Sequence, residues 1–344
     1  MKAAPESDQR STSDGCGVVW RDVVHSVSFR STCGRWLLAA ALSATVACTP
    51  SSAAASVSTT DASTTMSTSS TTTTTVPVVP QHELPGGGHV LFPGRLLVAI
   101  YGHPGDGNLG VLGEQAVDAA VERARSVAAE YLGVRSEPVI PTFEIITTVA
   151  SSEAGADGDY SLESTLDHIR PWVDAARVAG LYVVLDLQPG HADFLTQAMR
   201  YEELLAQPHV GLALDPEWRL APGERHLRDI GQVSADEVNR VSAWLADLTR
   251  RYRLPQKLLL LHQFRLDMLP DRAQILVPPE LALVVQMDGL GTQEVKLETW
   301  RAITAGGPAG VLFGWKNFYD EDSPVRSPTD TASLTPSPVY ISYQ

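Results

Sequence analysis

Beyond Cys48 the chain has no cysteine; its three, Cys16, Cys33 and Cys48, all lie in the first 48 residues. The remainder therefore offers no internal disulfide, no thiolate nucleophile and no Cys-ligated zinc. Positive charge is scarce too. Forty acidic side chains oppose 26 basic ones, for a formal net charge of −14, and residues 1–80 hold five of each sign. The whole surplus thus falls on residues 81–344. A domain that acidic lacks the basic footprint of a sequence-independent nucleic-acid binder and the polybasic face that docks on anionic lipid. Carboxylates, imidazoles, hydroxyls, amides and lysines are left to do the chemistry.

The apolar run Trp36–Ala47 (WLLAAALSATVA) is shorter than the ~20 residues of a membrane span. Arg30 and Arg35 precede it and small residues lead into Cys48, the order of parts in a secretory signal. Thr45-Val46-Ala47-Cys48 resembles a bacterial lipobox, which implies export, lipidation at Cys48 and attachment to the outer face of the cell membrane through that lipid alone. Between Thr49 and Thr75, 19 of 27 residues are Ser or Thr, and Val76-Pro77-Val78-Val79-Pro80 closes the stretch. Such a segment buries too little apolar surface to offset its ordering entropy, so it reads as a disordered tether. The expected organisation is an export signal over 1–48, a tether over 49–80, a folded domain over 81–329 and a loose Ser/Thr/Pro-rich tail over 330–344.

The folded region alternates short apolar runs with helical periodicity. Expected strands are Leu97–His103, Val139–Thr148, Leu181–Leu187, Val210–Leu214, Lys257–His262, Leu281–Gln286 and Gly310–Gly314, apolar nearly throughout, as parallel strands covered on both faces are. Expected helices include Val117–Tyr131, a stretch built on Leu162, Leu166, Ile169 and Trp172 that Pro171 should kink or restart, one opened by the capping box Ser234-Ala235-Asp236-Glu237, and one capped by Thr292. Tyr101-Gly102-His103-Pro104-Gly105-Asp106-Gly107 has the wrong spacing for a dinucleotide fingerprint. Nearly every strand ends in polar residues, which in a (β/α) barrel converge on one face. The expected fold is an α/β TIM-like barrel of seven or eight parallel strands. The eighth would be His89–Phe92, a piece of the tail, or absent.

The sharpest local signal is Leu214-Asp215-Pro216-Glu217-Trp218. On a strand, Asp215 and Glu217 would face the same way with Cα atoms about 6.6 Å apart, a range that suits glycoside cleavage by one protonated and one ionised carboxyl group. Asp-x-Glu at the end of a barrel's fourth strand resembles the catalytic motif of chitinase-like glycosidases and of one family of barrel muramidases. The resemblance implies Glu217 as acid and Asp215 as its ionised partner. Two upstream acidic positions of the chitinase-like pattern are Val210 and Ala213 here. Asp186, Gln188, His103, Glu144, His262, Gln286, Asp288, Lys316 and Asn317 are the expected substrate-lining residues, with Trp315, Trp218, Phe318 or Tyr319 stacking on a sugar ring. Asp320, Glu321 and Asp322 read as a solvated face.

The leading expectation is an exported glycoside hydrolase acting on a carbohydrate polymer or oligosaccharide, without cofactor or metal. A glycan-binding lipoprotein without catalysis is the first rival. The second is a metal-dependent phosphoester or amide hydrolase built from His103, Asp106, Asp186, His191, His262 and Asp288, or a metal-free phosphodiesterase using two of those histidines.

Overall fold

The computed structural model describes residues 80–344; Cys48 and the export and tether segments lie outside the described residues. Nine strands form one sheet: β1 Leu96–Gly102, β2 Val139–Ala150, β3 Ser161–Glu163, β4 Tyr182–Leu187, β5 Val210–Leu214, β6 Lys257–Gln263, β7 Leu281–Met287, β8 Leu312–Asn317 and β9 Tyr340–Tyr343. Eight run parallel in the order β1-β9-β8-β7-β6-β5-β4-β2, and β2 pairs back to β1, closing the ring. The ninth, β3, hangs antiparallel on the end of β2. The described residues form a (β/α) barrel of eight parallel strands.

Side-chain alternation divides the apolar residues between two cores. Leu96, Val98 and Ile100 of β1, Leu212 and Leu214 of β5, and Leu283 and Val285 of β7 face outward under the helices. Leu97, Ala99, Val184, Ala213, Leu260 and Val284 face inward and fill the barrel. Tyr182 crosses the floor, where its hydroxyl accepts the Leu258 amide at 3.1 Å. Gly211 makes room for that ring, since a Cβ there would stand 2.9 Å from both Tyr182 Oη and Leu258 Cβ.

Helices α1 Val117–Ala129, α2 Leu166–Ala179, α3 Phe194–Arg200, α4 Glu202–Leu205, α5 Ala235–Arg251, α6 Gln293–Thr304 and α7 Pro328–Ala332 surround the sheet. Thr292 caps α6, and the Ser234 hydroxyl accepts the Glu237 amide. On α5, Val238, Val241, Leu245 and Leu248 are wholly buried, each contributing about 1.5–3 kcal/mol relative to exposure.

Several expectations are corrected. The tail is not loose: α7 and β9 occupy it, and β9 is the eighth barrel strand, with all four residues buried. Residues 89–92 form no strand; Leu91 and Phe92 cluster with Leu84 against the inner core instead. The strand expected over 310–314 lies at Leu312–Asn317, which places Lys316 and Asn317 on the strand itself. Leu162 belongs to β3 and is exposed, and α2 runs unbroken through Pro171. The capping box is half made. The Glu237 carboxylate does not turn back to its own helix start but accepts the Phe194 amide and pairs with Arg219, each at 3.0 Å. Asp322 is buried against Lys296 rather than solvated.

Candidate active site

Seven of the parallel strands carry an inward polar residue, Tyr101, Glu144, Asp186, His262, Gln286, Lys316 and Ser342 in chain order, and Asp215 directly follows the end of β5. The layer below is mainly apolar, with Ala99, Val184, Ala213, Leu260 and Val284. Above that apolar floor sits a buried polar ring. Its groups largely face one another, as they must where an unpaired buried polar group costs about 1–3 kcal/mol.

His262, fully buried, is the hub. Its Nδ1 lies 2.7 Å from Asp288 Oδ2, and its Nε2 lies 2.9 Å from Glu144 Oε1 and 3.7 Å from Asp186 Oδ1. Two tyrosines brace those carboxylates. Tyr101 donates to Asp186 Oδ2 at 3.0 Å and Tyr340 donates to Glu144 Oε2 at 2.9 Å. Gln188 donates to the Tyr101 hydroxyl at 3.3 Å and accepts the Ala150 amide at 3.1 Å. Lys316 places its ammonium 3.1 Å from Asp288 Oδ1 and 3.7 Å from the centre of the Tyr101 ring, a cation–π seat. Gln286 donates to Ser342.

Burial disfavours charge throughout this ring, and the neighbours decide which groups keep it. Desolvation would lower His262, but Asp288, Asp186 and Asp215 overcome it and hold the imidazole protonated. Desolvation likewise opposes charge on Lys316, and Asp288, Glu144 and Asp215 reverse it. Desolvation would raise Asp288, but Lys316 and His262 hold it below the usual carboxylate range. Asp186 is pushed up to about 6, by burial against the pull of His262. Asp215 goes well up, again from burial opposed by His262, with Glu217 and Asp186 adding to the rise. Glu217 is pushed up to about 8, first by burial and then by the negative charge of Asp288.

The expected strand geometry of Asp215 and Glu217 is corrected. Strand β5 ends at Leu214, and Pro216-Glu217-Trp218 form a 3-10 turn. The turn points Asp215 down into the ring, 2% exposed, and leaves Glu217 half-buried at its mouth. The Gly231 amide donates to the Glu217 carbonyl at 2.7 Å, and the Arg219–Glu237 pair anchors the far side of the turn to α5. Asp288 is the other member of the cluster that is not fully buried.

The structure gathers Glu144, Asp186, Gln188, Asp215, Glu217, His262, Gln286, Asp288 and Lys316 at this end of the barrel. It does not gather His103, Trp315, Asn317, Phe318 or Tyr319, also expected there. Trp315 and Asn317 have the opposite parity to Lys316: Trp315 packs outward on Trp300 and donates to Asn317 Oδ1 at 2.9 Å. Trp315 is wholly buried in the outer core, and Phe318 is buried as well, so neither offers a face to a sugar. His103 turns away because Gly102, at φ 151, breaks the alternation of β1; the ring stacks on His168 at 5.5 Å and bonds the Ile146 carbonyl. Of the aromatics beyond β8, Tyr319 stacks on Tyr343 at 5.5 Å.

Sequence reasoning missed Tyr101, Tyr340 and Ser342. The parity of Leu97 and Ala99 points to Tyr101, but the other two lie in the tail and become visible only once it closes the barrel. The histidine set expected for a metal is not assembled either, since His191 stacks on Tyr160 and bonds the Glu224 carbonyl. Asp215, His262 and Asp288 do offer ligand atoms within 4.8 Å of one another. The imidazole nitrogens already face carboxylates, however, and Lys316 occupies the other oxygen of Asp288, so these residues suit protons better than a divalent ion.

No protein-family model matches the chain, and no curated protein matches it. Among solved structures it is similar to an uncharacterized B. cereus protein, at 9% identity and a TM-score of 0.37 over 73% of this chain. The match spans 61% of the length of that protein. It is also similar to the dihydropteroate synthase of Burkholderia cenocepacia, at 13% identity and a TM-score of 0.29 over 72% of this chain and 85% of the synthase. The same synthase in complex with 7,8-dihydropteroate gives 12% identity and a TM-score of 0.31, over 73% of this chain and 86% of that one. Likeness this distant leaves the chemistry to be read from the site itself.

Proposed function

We propose that the protein is an exported glycoside hydrolase of the cell envelope, held there by a lipid on Cys48, with Glu217 as its general acid. One observation carries the reading: the two carboxyl groups at the mouth of the barrel are driven in opposite directions. Glu217, near 8, keeps its proton at neutral pH, while Asp288, held down by Lys316 and His262, keeps its charge. A protonated and an ionised carboxyl group, one on each side of the bond to be broken, are what glycoside cleavage requires. Glu217 protonates the leaving glycosidic oxygen as its bond to the anomeric carbon breaks; water then adds to that carbon and its released proton restores Glu217. Asp288 presents negative charge to the positive ring that develops as the bond breaks. Asp215, first expected as the ionised partner, is buried and pushed toward its neutral form, so Asp288 takes that role.

The test is reducing-end release by the full-length protein and by Glu217→Gln, on peptidoglycan and on chitin- and glucan-type polymers. Release by the wild type that falls at least ~100-fold in the variant, the scale of a lost general acid, supports the proposal. Binding without release on any polymer overturns it in favour of a glycan-binding lipoprotein. Silence in both assays, with a divalent ion retained through purification, would move the assignment to metal-dependent phosphoester or amide hydrolysis.

A further inference from the structure

A second buried ion pair lies next to the ring. Lys296 and Asp322 are both buried and pair directly. Lys296 sits in the first turn of α6, the end at which the helix dipole opposes a cation. Burial pulls its ammonium below the usual value, against the pull of Asp322. A buried pair is weak grounds for stability, since apolar side chains of similar volume often serve as well. What this pair does that apolar side chains cannot is hold backbone groups at fixed points. Asp322 Oδ2 accepts the Phe318 amide at 3.0 Å, and its Oδ1 accepts the Gly291 amide at 3.1 Å. The Lys296 ammonium donates to the Lys316 carbonyl at 2.8 Å. The Phe318 ring sits near both ammonium groups, its centre 5.4 Å from that of Lys296 and 5.0 Å from that of Lys316.

Those anchors adjoin the residues of the candidate site. Gly291 is three residues beyond Asp288, after the end of β7, and Phe318 is two beyond Lys316 on β8. We propose, resting on the glycoside-hydrolase reading, that Lys296 and Asp322 are positioning residues: they hold the Lys316 ammonium on Asp288, the carboxylate that faces the developing positive ring. A lysine on its flexible stem has other choices. Glu144 and Asp215 also attract the Lys316 ammonium. Fixing the Lys316 carbonyl, the Phe318 amide and the Asp288 loop at Gly291 selects the contact with Asp288 Oδ1, at 3.1 Å, over those rivals. The Thr292–Ser323 bridge and the Ser323 amide, on the Gly291 carbonyl at 3.2 Å, also join the two segments. Loss of the ion pair therefore loosens the clamp without parting them.

The experiment follows the Asp288 carboxyl carbon by NMR through a pH titration of the full-length protein labelled at aspartate. The signal is assigned by its absence in Asp288→Asn. The informative variant is Asp322→Asn, because charge and position act on Asp288 with opposite sign. Removing a nearby negative charge, with Lys296 still cationic, would by itself lower the Asp288 midpoint. Releasing Lys316 raises it. The expected result is a rise of about one pH unit or more, tenfold in proton affinity. The Lys296→Met, Asp322→Asn double variant loses one charge of each sign and should show the same rise. His262, Asp215 and Glu217, which share the field of Asp288, are the same in every variant. A midpoint that stays or falls in Asp322→Asn overturns the proposal and leaves a merely structural pair. Should that variant not fold, with Lys296 buried alone, the double variant decides by the same criterion. Reducing-end release separates this result from the hydrolase reading. A raised midpoint with no release by the wild type removes the hydrolase reading and keeps the hold on Asp288; release with an unmoved midpoint does the reverse.

Discussion

Replacing Lys316 by Met tests the electrostatic account of the site without assuming a substrate. The Lys316 ammonium stands 3.1 Å from Asp288 Oδ1, and both side chains are nearly enclosed. At an effective dielectric constant near 20 their attraction is about 5 kcal/mol. Stranding one partner of a buried pair costs about 3–5 kcal/mol. The His262 bond to the other Asp288 oxygen, at 2.7 Å, remains, so the lower end is expected, about 3 kcal/mol. At 2–4 °C per kcal/mol for a domain of this size, Tm should fall by roughly 6–12 °C at neutral pH. The pH dependence gives a second check. Asp288 has a folded pKa below its unfolded value, so its contribution is complete above about pH 4–5 and disappears as the pH falls through the folded pKa. The gap between wild type and Lys316→Met should therefore close in acid. Calorimetric melts at several pH values measure both quantities. A variant within about 0.5 kcal/mol of wild type at neutral pH, or a gap that widens in acid, would refute the account of Asp288 as a carboxylate kept ionised by Lys316.

If Glu217 is the general acid proposed above, reducing-end release should fall as the pH rises through about 8, where its carboxyl group loses its proton, and a rate that climbs through that range would refute that role. Dialysis against a chelator should leave release unchanged; loss of activity restored by added divalent ion would mean that Asp215, His262 and Asp288 hold a metal after all. Gly211→Ala forces a Cβ to within 2.9 Å of Tyr182 Oη and Leu258 Cβ. It should cost about 1–3 kcal/mol in a urea titration, and a neutral effect would show that the inner core is looser than described. Ending the chain before Tyr340 removes β9 and unzips both β8 and β1, so the truncated protein should show no cooperative thermal transition.

The barrel was legible because its strands are buried on both faces. Val210–Leu214 and Lys257–His262 are continuous apolar runs, and no one-sided sheet would tolerate them. Their polar endings, Asp186, His262 and Asp288 among them, were legible for the same reason: a charged side chain closing an apolar strand has to go somewhere specific. Tyr340–Tyr343 was not legible. Four residues among Ser, Thr and Pro carry too little pattern to identify a strand, and only the two open edges of β1 and β8, waiting for hydrogen-bond partners, make one of them. Trp315 failed differently. Its chemistry suits a sugar, but β8 runs on through Asn317 instead of ending at Gly314, so Trp315 lies on the strand with the outward parity of Phe313.

The sequence alone determined the fold class, the acidic character and the residues able to do chemistry, because those depend on composition and on local periodicity. It also singled out Glu217, but expected it on a strand, and the turn after β5 places it instead. Which carboxyl group is protonated and which ionised was decided by tertiary structure. Burial raises Asp186, Asp215 and Glu217, and Asp288 escapes that rise because the barrel brings two distant cations to it. His262 and Lys316 arrive on strands β6 and β8 and converge on Asp288 beyond β7, while Glu217, on the turn after β5, has neither as an ion-pair partner. Charge is long-ranged and non-local in sequence, so which carboxyl groups favour the proton is set by the folded chain.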